Sequence, residues 1–187
     1  MSTKRHQRLR ALTEGAMLVA AAQVLSFIKL YEFPQGGAVT AAMFPILFYA
    51  VRHGLGRGLL AGFAFGGLQL IFDGAYAWGW QSMLLDYLLA FTPLGLAGLF
   101  RGREWGIFPG TVLGCAGRFA VHYFSGITVY RIYAPTQIPG FGVFDSAELY
   151  SLVYNGCYML PSALIALAIA AALYRPMKPW FQGRDLK

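Results

Sequence analysis

The stretch RHGLGRGLLAGFAFGGLQLIFDGAYAWGWQSMLLDYLLAFTPLGLAGLFRGRE, residues 52–104, decides the fold. It holds two apolar runs, 56–73 and 81–100, each close to the roughly 20 residues an α-helix needs to cross the hydrocarbon core of a bilayer. Arg52 and Arg57 flank the start of the first run, and Arg101 and Arg103 follow the second. The connection between them, DGAYAWGW, carries an acid and aromatic rings instead. A hairpin with basic ends on one side and an aromatic turn on the other is how charge orients membrane helices, because Lys and Arg stay cytoplasmic.

The pattern repeats outward from this hairpin. Apolar runs at 12–30 and 38–52 precede it and runs at 105–126 and 149–174 follow it. The reading is therefore an all-α integral membrane protein, a six-helix bundle in a membrane domain of residues 12–174. A basic cytoplasmic N-terminus (1–11) and a basic cytoplasmic tail (175–187) flank it. The second run, AVTAAMFPILFYAV, is short and contains Pro45, which predicts a kink or a tilt.

Composition agrees. Of 187 residues 57% are hydrophobic and 12% charged, against roughly 25% charged in a soluble domain, and the mean hydropathy is +0.52. The net charge of +7 could point to nucleic acid. That reading needs a basic face or a recognition motif, and the Lys and Arg residues instead punctuate apolar runs. The N-terminus, the RHGLGR and RGRE turns and the C-terminus share all of the fifteen except Lys29, Arg118 and Arg131, so both termini are expected on the cytoplasmic side. The basic start MSTKRHQRLR also resembles a signal peptide, but Gln23, Ser26 and Lys29 interrupt the adjoining apolar run, and that first run is read as a retained span.

Glycines recur at every fourth position in two spans, Gly58, Gly62 and Gly66, then Gly106, Gly110 and Gly114. Such stripes let helix backbones approach closely, and packing within the chain is the expected use. Ala16 and Ala20 make a similar ridge on the first span, which could face another subunit. Cys115 and Cys157 lie in apolar runs and read as small packed hydrophobes. Tyr31, Tyr76, Trp78 and Trp80 suit an interfacial aromatic belt.

No GxxxxGK[ST] loop, HExxH or Cys/His metal spacing occurs, so neither nucleotide hydrolysis nor zinc chemistry is encoded. His122, Ser125 and Asp86 could suggest a hydrolase, yet Ser125 lacks the GxSxG elbow. The remaining candidates are polar residues at the outer ends of apolar helices. Asp86 lies about 8 Å into the fourth span, where a carboxylate facing lipid would cost up to ~3 kcal/mol. It should face the bundle interior and find a partner in Arg118 or His122. Those two residues lie one turn apart on the fifth span. Tyr150 and Asn155 begin the sixth, but on a helix they point well apart, so one pocket uses both only if Tyr150 sits at a frayed helix start. A carboxylate, a His, an Asn and several Tyr suit a small, flat, cationic heteroaromatic ligand.

The strings EFPQGG, LLDYLLAF, GRFAVHYFSG and YSLVYNGCYMLP, in this order and on these spans, resemble the thiamine-specific substrate-binding components of energy-coupling factor (ECF) vitamin transporters, from about Glu14 to Pro161. The resemblance implies six helices in a prokaryotic plasma membrane, thiamine bound with high affinity from outside, and association with a transmembrane coupling subunit and two ATPases. ATP would then be hydrolysed by those partners, and this chain would carry no cofactor. The resemblance also implies ligand contacts for Asp86, His122, Tyr150 and Asn155, with Tyr87 and Arg118 as further pocket residues. Pro34, Gln35, Gly36 and Gly37 become a glycine-hinged lid, and Ala16 and Ala20 the ridge that meets the coupling subunit. Two positions depart from the family pattern: Asp86 stands where some members have Glu, and Tyr130 where a stacking Trp is found. Rival readings are the same kind of component for another vitamin or a thiamine precursor, an intramembrane enzyme using Asp86 and His122 as acid and base, and a structural helix-packing subunit.

Overall fold

The computed structural model describes residues 3–34, 36–73, 79–130, 137–138, 142–144 and 146–186. Helix α1 spans Thr3–Ser26, and a short hairpin of β1 (Tyr31–Glu32) and β2 (Ala38–Val39) comes next, pairing Tyr31 with Val39 and Glu32 with Ala38. Then come α2 (Met43–His53), α3 (Leu55–Asp73), α4 (Trp80–Phe100), α5 (Ile107–Ser125) and α6 (Ala147–Phe181). A second two-stranded hairpin, β3 (Gln137–Ile138) and β4 (Gly142–Val143), lies between α5 and α6, and a single 3-10 turn, Arg184–Leu186, comes after α6.

Among the described residues three helices are long and apolar enough to cross a membrane: α3, α4 and the one that starts at Ala147. Their outward residues are large and apolar, among them Leu60, Ile71, Leu89, Leu99, Leu160 and Leu164. Such a surface suits lipid rather than water. The other expected spans differ from the sequence reading in instructive ways. Helix α2 has only 11 residues, about 16 Å of length, and it is buried on nearly every side. It is the core around which the rest packs. Pro45 does not kink it, because it lies in the first turn, where a missing N–H costs no intrahelical bond. Helix α1 begins well before residue 12, at Thr3, and ends at Ser26 rather than at residue 30.

Helix α6 runs past residue 174 to Phe181, with its one break in helical geometry at Met177, between Pro176 and Pro179. The end of this helix and the residues after it pack back on the bundle. Phe181 and Gln182 are buried, and Asp185 accepts from Arg52 Nη1 at 2.6 Å and Nη2 at 2.7 Å. Arg52, only 1% exposed, also grips both oxygens of Glu14 at 2.7 and 3.0 Å. Arg10 reaches both carboxylates, and His53 Nε2 stands 2.7 Å from Glu14. This network ties α1, α2 and the chain end together.

The glycine stripes pack within the chain. A Cβ on Gly62 or Gly66 would strike the backbone of α4 at Phe91 and Tyr87, and one on Gly95 would strike α3 at Leu59. Helices α3 and α4 thus meet backbone to backbone. Cys115 is buried with its sulfur 4.0 Å from that of Met43, and both cysteines are free.

Candidate functional site

A cavity of about 950 Å³, its open mouth included, occupies the end of the bundle opposite the basic turns around Arg52 and Arg101. Helices α3, α4, α5 and α6 wall it, and the turn between β1 and β2 covers it with Gly36 and Gly37. Asp86 lies in a π-helical segment, Met83–Leu89. Such widened turns recur at functional sites because they push side chains out of register. Its Oδ2 accepts from Ser82 Oγ at 2.6 Å, and its Oδ1 stands 3.3 Å from His122 Nδ1. The partner of Asp86 is therefore His122 and not Arg118. With side chains 14% and 10% exposed, the pair keeps its open edge toward the cavity.

Arg118, one turn before His122, lays its guanidinium 4.0 Å from the centre of the Phe91 ring. The ring face gives the cation a cation–π partner, while the Arg118 Nε is buried with no hydrogen-bond partner. Tyr87 lines the same cavity, and its hydroxyl donates to the carbonyl of Asp73 at 2.7 Å. At the mouth Lys29 bridges Glu32 at 2.8 Å and Asp73 at 3.3 Å.

Helix α6 supplies the aromatic wall. Ser146 caps it by accepting from the Leu149 N–H, so Tyr150 sits in an ordered first turn rather than at a frayed start. Tyr150 and Asn155 nevertheless both line the cavity. The columns 150–154–158 and 151–155 lie side by side and together cover an arc of about 140°, which the cavity tracks. Tyr150 stacks on Tyr154 at 5.6 Å, and its hydroxyl is buried with no hydrogen-bond partner. Asn155 is more engaged than its expected role requires. Its Nδ2 donates to Ser151 and to the His122 carbonyl, and its Oδ1 accepts from Tyr158 OH at 2.7 Å. It fixes α5 against α6 and leaves one lone pair of Oδ1 for anything else.

The β1–β2 turn docks on the same wall. Gly37 N–H donates to Tyr154 OH at 3.3 Å, and Phe33 meets Tyr154 edge-on at 5.6 Å. Glycine is required at 37, since a Cβ there would sit 2.5 Å from the Tyr158 ring. Pro34 is exposed beside the cavity rather than in its lining. The Gln35 position and the Tyr130 side chain lie outside the described residues. Ala16 and Ala20 are exposed on α1, away from the cavity.

Sequence reasoning missed Ser82, Tyr158 and the Gln69–Ser26 pair, all of which line the cavity. Ser82 was legible as the residue one turn before Asp86, and Tyr158 as the end of a tyrosine column. Nothing in the local sequence marks Gln69, whose partners are more than 40 residues away. Among the described residues no three His, Cys, Asp or Glu side chains converge to hold a metal ion.

An α-helical chain with lipid-suited flanks and a polar, aromatic-walled cavity enclosed at one end defines a membrane protein that holds a small solute. The chain belongs to the thiamine transporter protein family, whose sequence model matches residues 12–182. It is a multi-pass membrane transport protein rather than an enzyme. Thiamine transporter ThiT of Bacillus subtilis (strain 168) is 30% identical over 183 residues, covering 90% of this chain and 92% of that protein. The protein of the same name from Lacticaseibacillus paracasei is 29% identical over 203 residues, covering 98% and 96%. The solved structure of ThiT from Listeria monocytogenes superposes with a TM-score of 0.79 at 27% identity, over 93% of this chain and 98% of that one.

Proposed function

We propose that this protein captures thiamine with high affinity at the outer face of a prokaryotic plasma membrane. It acts as the substrate-binding component of an ECF transporter whose coupling subunit and two ATPases drive the vitamin inward. The observation that carries this reading is the convergence of Asp86, His122 and the α6 tyrosines on one covered cavity, in a chain of the thiamine transporter family. Asp86 supplies the anion that meets a cationic ligand in a water-poor site. Tyr87 and Tyr150 offer ring faces to flat heteroaromatic rings, Tyr130 is assigned a stacking part by the family resemblance alone, and Asn155 and His122 fix a hydrogen-bonding edge. Arg118, held on Phe91, keeps the ligand's positive charge on the Asp86 side.

In this reading residues 12–174 cross the membrane six times with both termini cytoplasmic, as the distribution of Lys and Arg supports. The turn Pro34–Gln35–Gly36–Gly37 is the lid, and Ala16 and Ala20 form the face that meets the coupling subunit. The chain itself carries no cofactor. The test is titration of the purified protein's intrinsic fluorescence with thiamine. Saturable quenching at stoichiometric thiamine is expected, since a thiazolium ring stacked near Tyr and Trp quenches them. No change up to millimolar thiamine would refute the reading.

A further inference from the structure

The rotation of α1 about its own axis is held by polar contacts at two edges. Its inward face carries Ala11, Gly15 and Ala22, all buried, with Leu18, Val19 and Leu25 partly buried against the core and Tyr49 OH donating to the Ala11 carbonyl at 2.9 Å. Two polar side chains flank that face. Glu14 is gripped by Arg52, His53 and Arg10. Gln23 accepts from Gln69 Nε2 at 3.0 Å and donates to Ser26 Oγ at 3.2 Å. Nine residues separate Glu14 from Gln23, which places them about half a turn apart around the helix and about 13 Å apart along it. One such contact alone is a hinge about which a helix rocks. Two, on opposite edges and about 13 Å apart along the axis, oppose that rocking more strongly than either alone. Ala16 and Ala20 fall in the arc outside these edges and are exposed.

We propose that Glu14 and Gln23 are positioning residues that lock the rotation of α1, so that the Ala16–Ala20 face stays turned toward the coupling subunit. The proposal rests on the reading of that face given above. Both contacts are chemically suited to the task. Arg52 is 1% exposed and uses all three guanidinium nitrogens in hydrogen bonds around the first, so it cannot swing outward with Glu14. The second shares Ser26 and Gln69 with the cavity lining, which sets this edge of α1 against the ligand site.

The test is the double variant Glu14→Leu/Gln23→Leu in the full chain, expressed with its coupling module. Both changes remove the polar atoms that make the two contacts, and Arg52 keeps Asp185. Single cysteines, Ala16→Cys or Ala22→Cys in a background where Cys115 and Cys157 are Ala, report rotation by alkylation with a hydrophobic maleimide. The expected result is thiamine affinity within about threefold of the parent, at least tenfold less coupling subunit retained on purification, and reactivity at position 22 rising to within about threefold of that at 16. Retention of the coupling subunit overturns the lock. So does loss of the subunit with an unchanged alkylation pattern, which would make Glu14 or Gln23 a direct contact, and so does loss of thiamine binding, which would make them part of the pocket's framework. Ala16→Trp/Ala20→Trp separates the two layers. If that variant keeps its partner, the docking face itself is wrong and the lock falls with it; if it loses the partner while the double variant keeps it, only the lock is wrong.

Discussion

Asp86→Asn tests the site where the structure makes the sharpest demand. The carboxylate already accepts from Ser82 at 2.6 Å and stands 3.3 Å from His122 Nδ1. An amide of the same shape can keep the Ser82 bond, so the fold should survive with a melting temperature close to the parent's. The negative charge presented to the ligand disappears. A hydrogen bond to a charged group contributes about 1.5–3 kcal/mol, and attraction between an anion and the ring cation adds to it in a site that water enters poorly. Part of that gain is offset by desolvation, so at least ~1.4 kcal/mol, about tenfold in Kd, should be lost. Isothermal titration calorimetry on detergent-purified protein measures this directly. Unchanged affinity in a folded variant would refute the argument, because Asp86 would then serve only to hold Ser82 and His122.

Neighbouring contacts set further expectations. His122→Ala and Asn155→Ala should both weaken thiamine binding, and Asn155→Ala should in addition lower the melting temperature, because it releases Tyr158 and the α5–α6 contact. His53→Ala should leave affinity unchanged while lowering thermal stability, since His53 is buried against Glu14 far from the cavity; a loss of affinity there would argue against the site's location. Gly37→Ala forces a methyl group against the Tyr158 ring, a misfit of about 1–3 kcal/mol expected as weaker thiamine binding, whereas Gly56→Ala, with open space around it, should bind normally. Ala16→Trp/Ala20→Trp should keep thiamine affinity within about threefold yet lose the coupling subunit and ATP-dependent uptake. Paired with Arg52 first and Arg10 second, the Asp185 carboxyl is held below the usual carboxylate range. Its contribution to stability is complete above the unfolded-state value of about 3.9 and fades as pH falls through the lower folded value. Melting temperatures should thus drop on acidification below about pH 4, and Asp185→Asn should lessen that drop.

Much of this protein was determined by sequence alone. Apolar run length, basic punctuation and the glycine stripes are local properties of the chain, and each answers to lipid or to the next helix without reference to distant residues. The same holds for the polar residues that cannot face lipid, which is why Asp86, His122, Tyr150 and Asn155 could be placed at one level on one side from the chain itself, whereas that Tyr150 and Asn155 line one cavity could not. Choices among partners were not local. Only the tertiary structure gave Asp86 to His122 and Arg118 to Phe91, and only it spent most of the Asn155 amide on holding helices together. A central helix of 11 residues that never needs to span the hydrocarbon by itself could not be read from its own hydropathy, because its length is set by the helices that surround it. The chain end, read only as a basic tail, folds back because Asp185 meets an arginine 133 positions earlier. Pairings of that kind depend on where two distant segments come to rest, and that position is a property of the packed bundle.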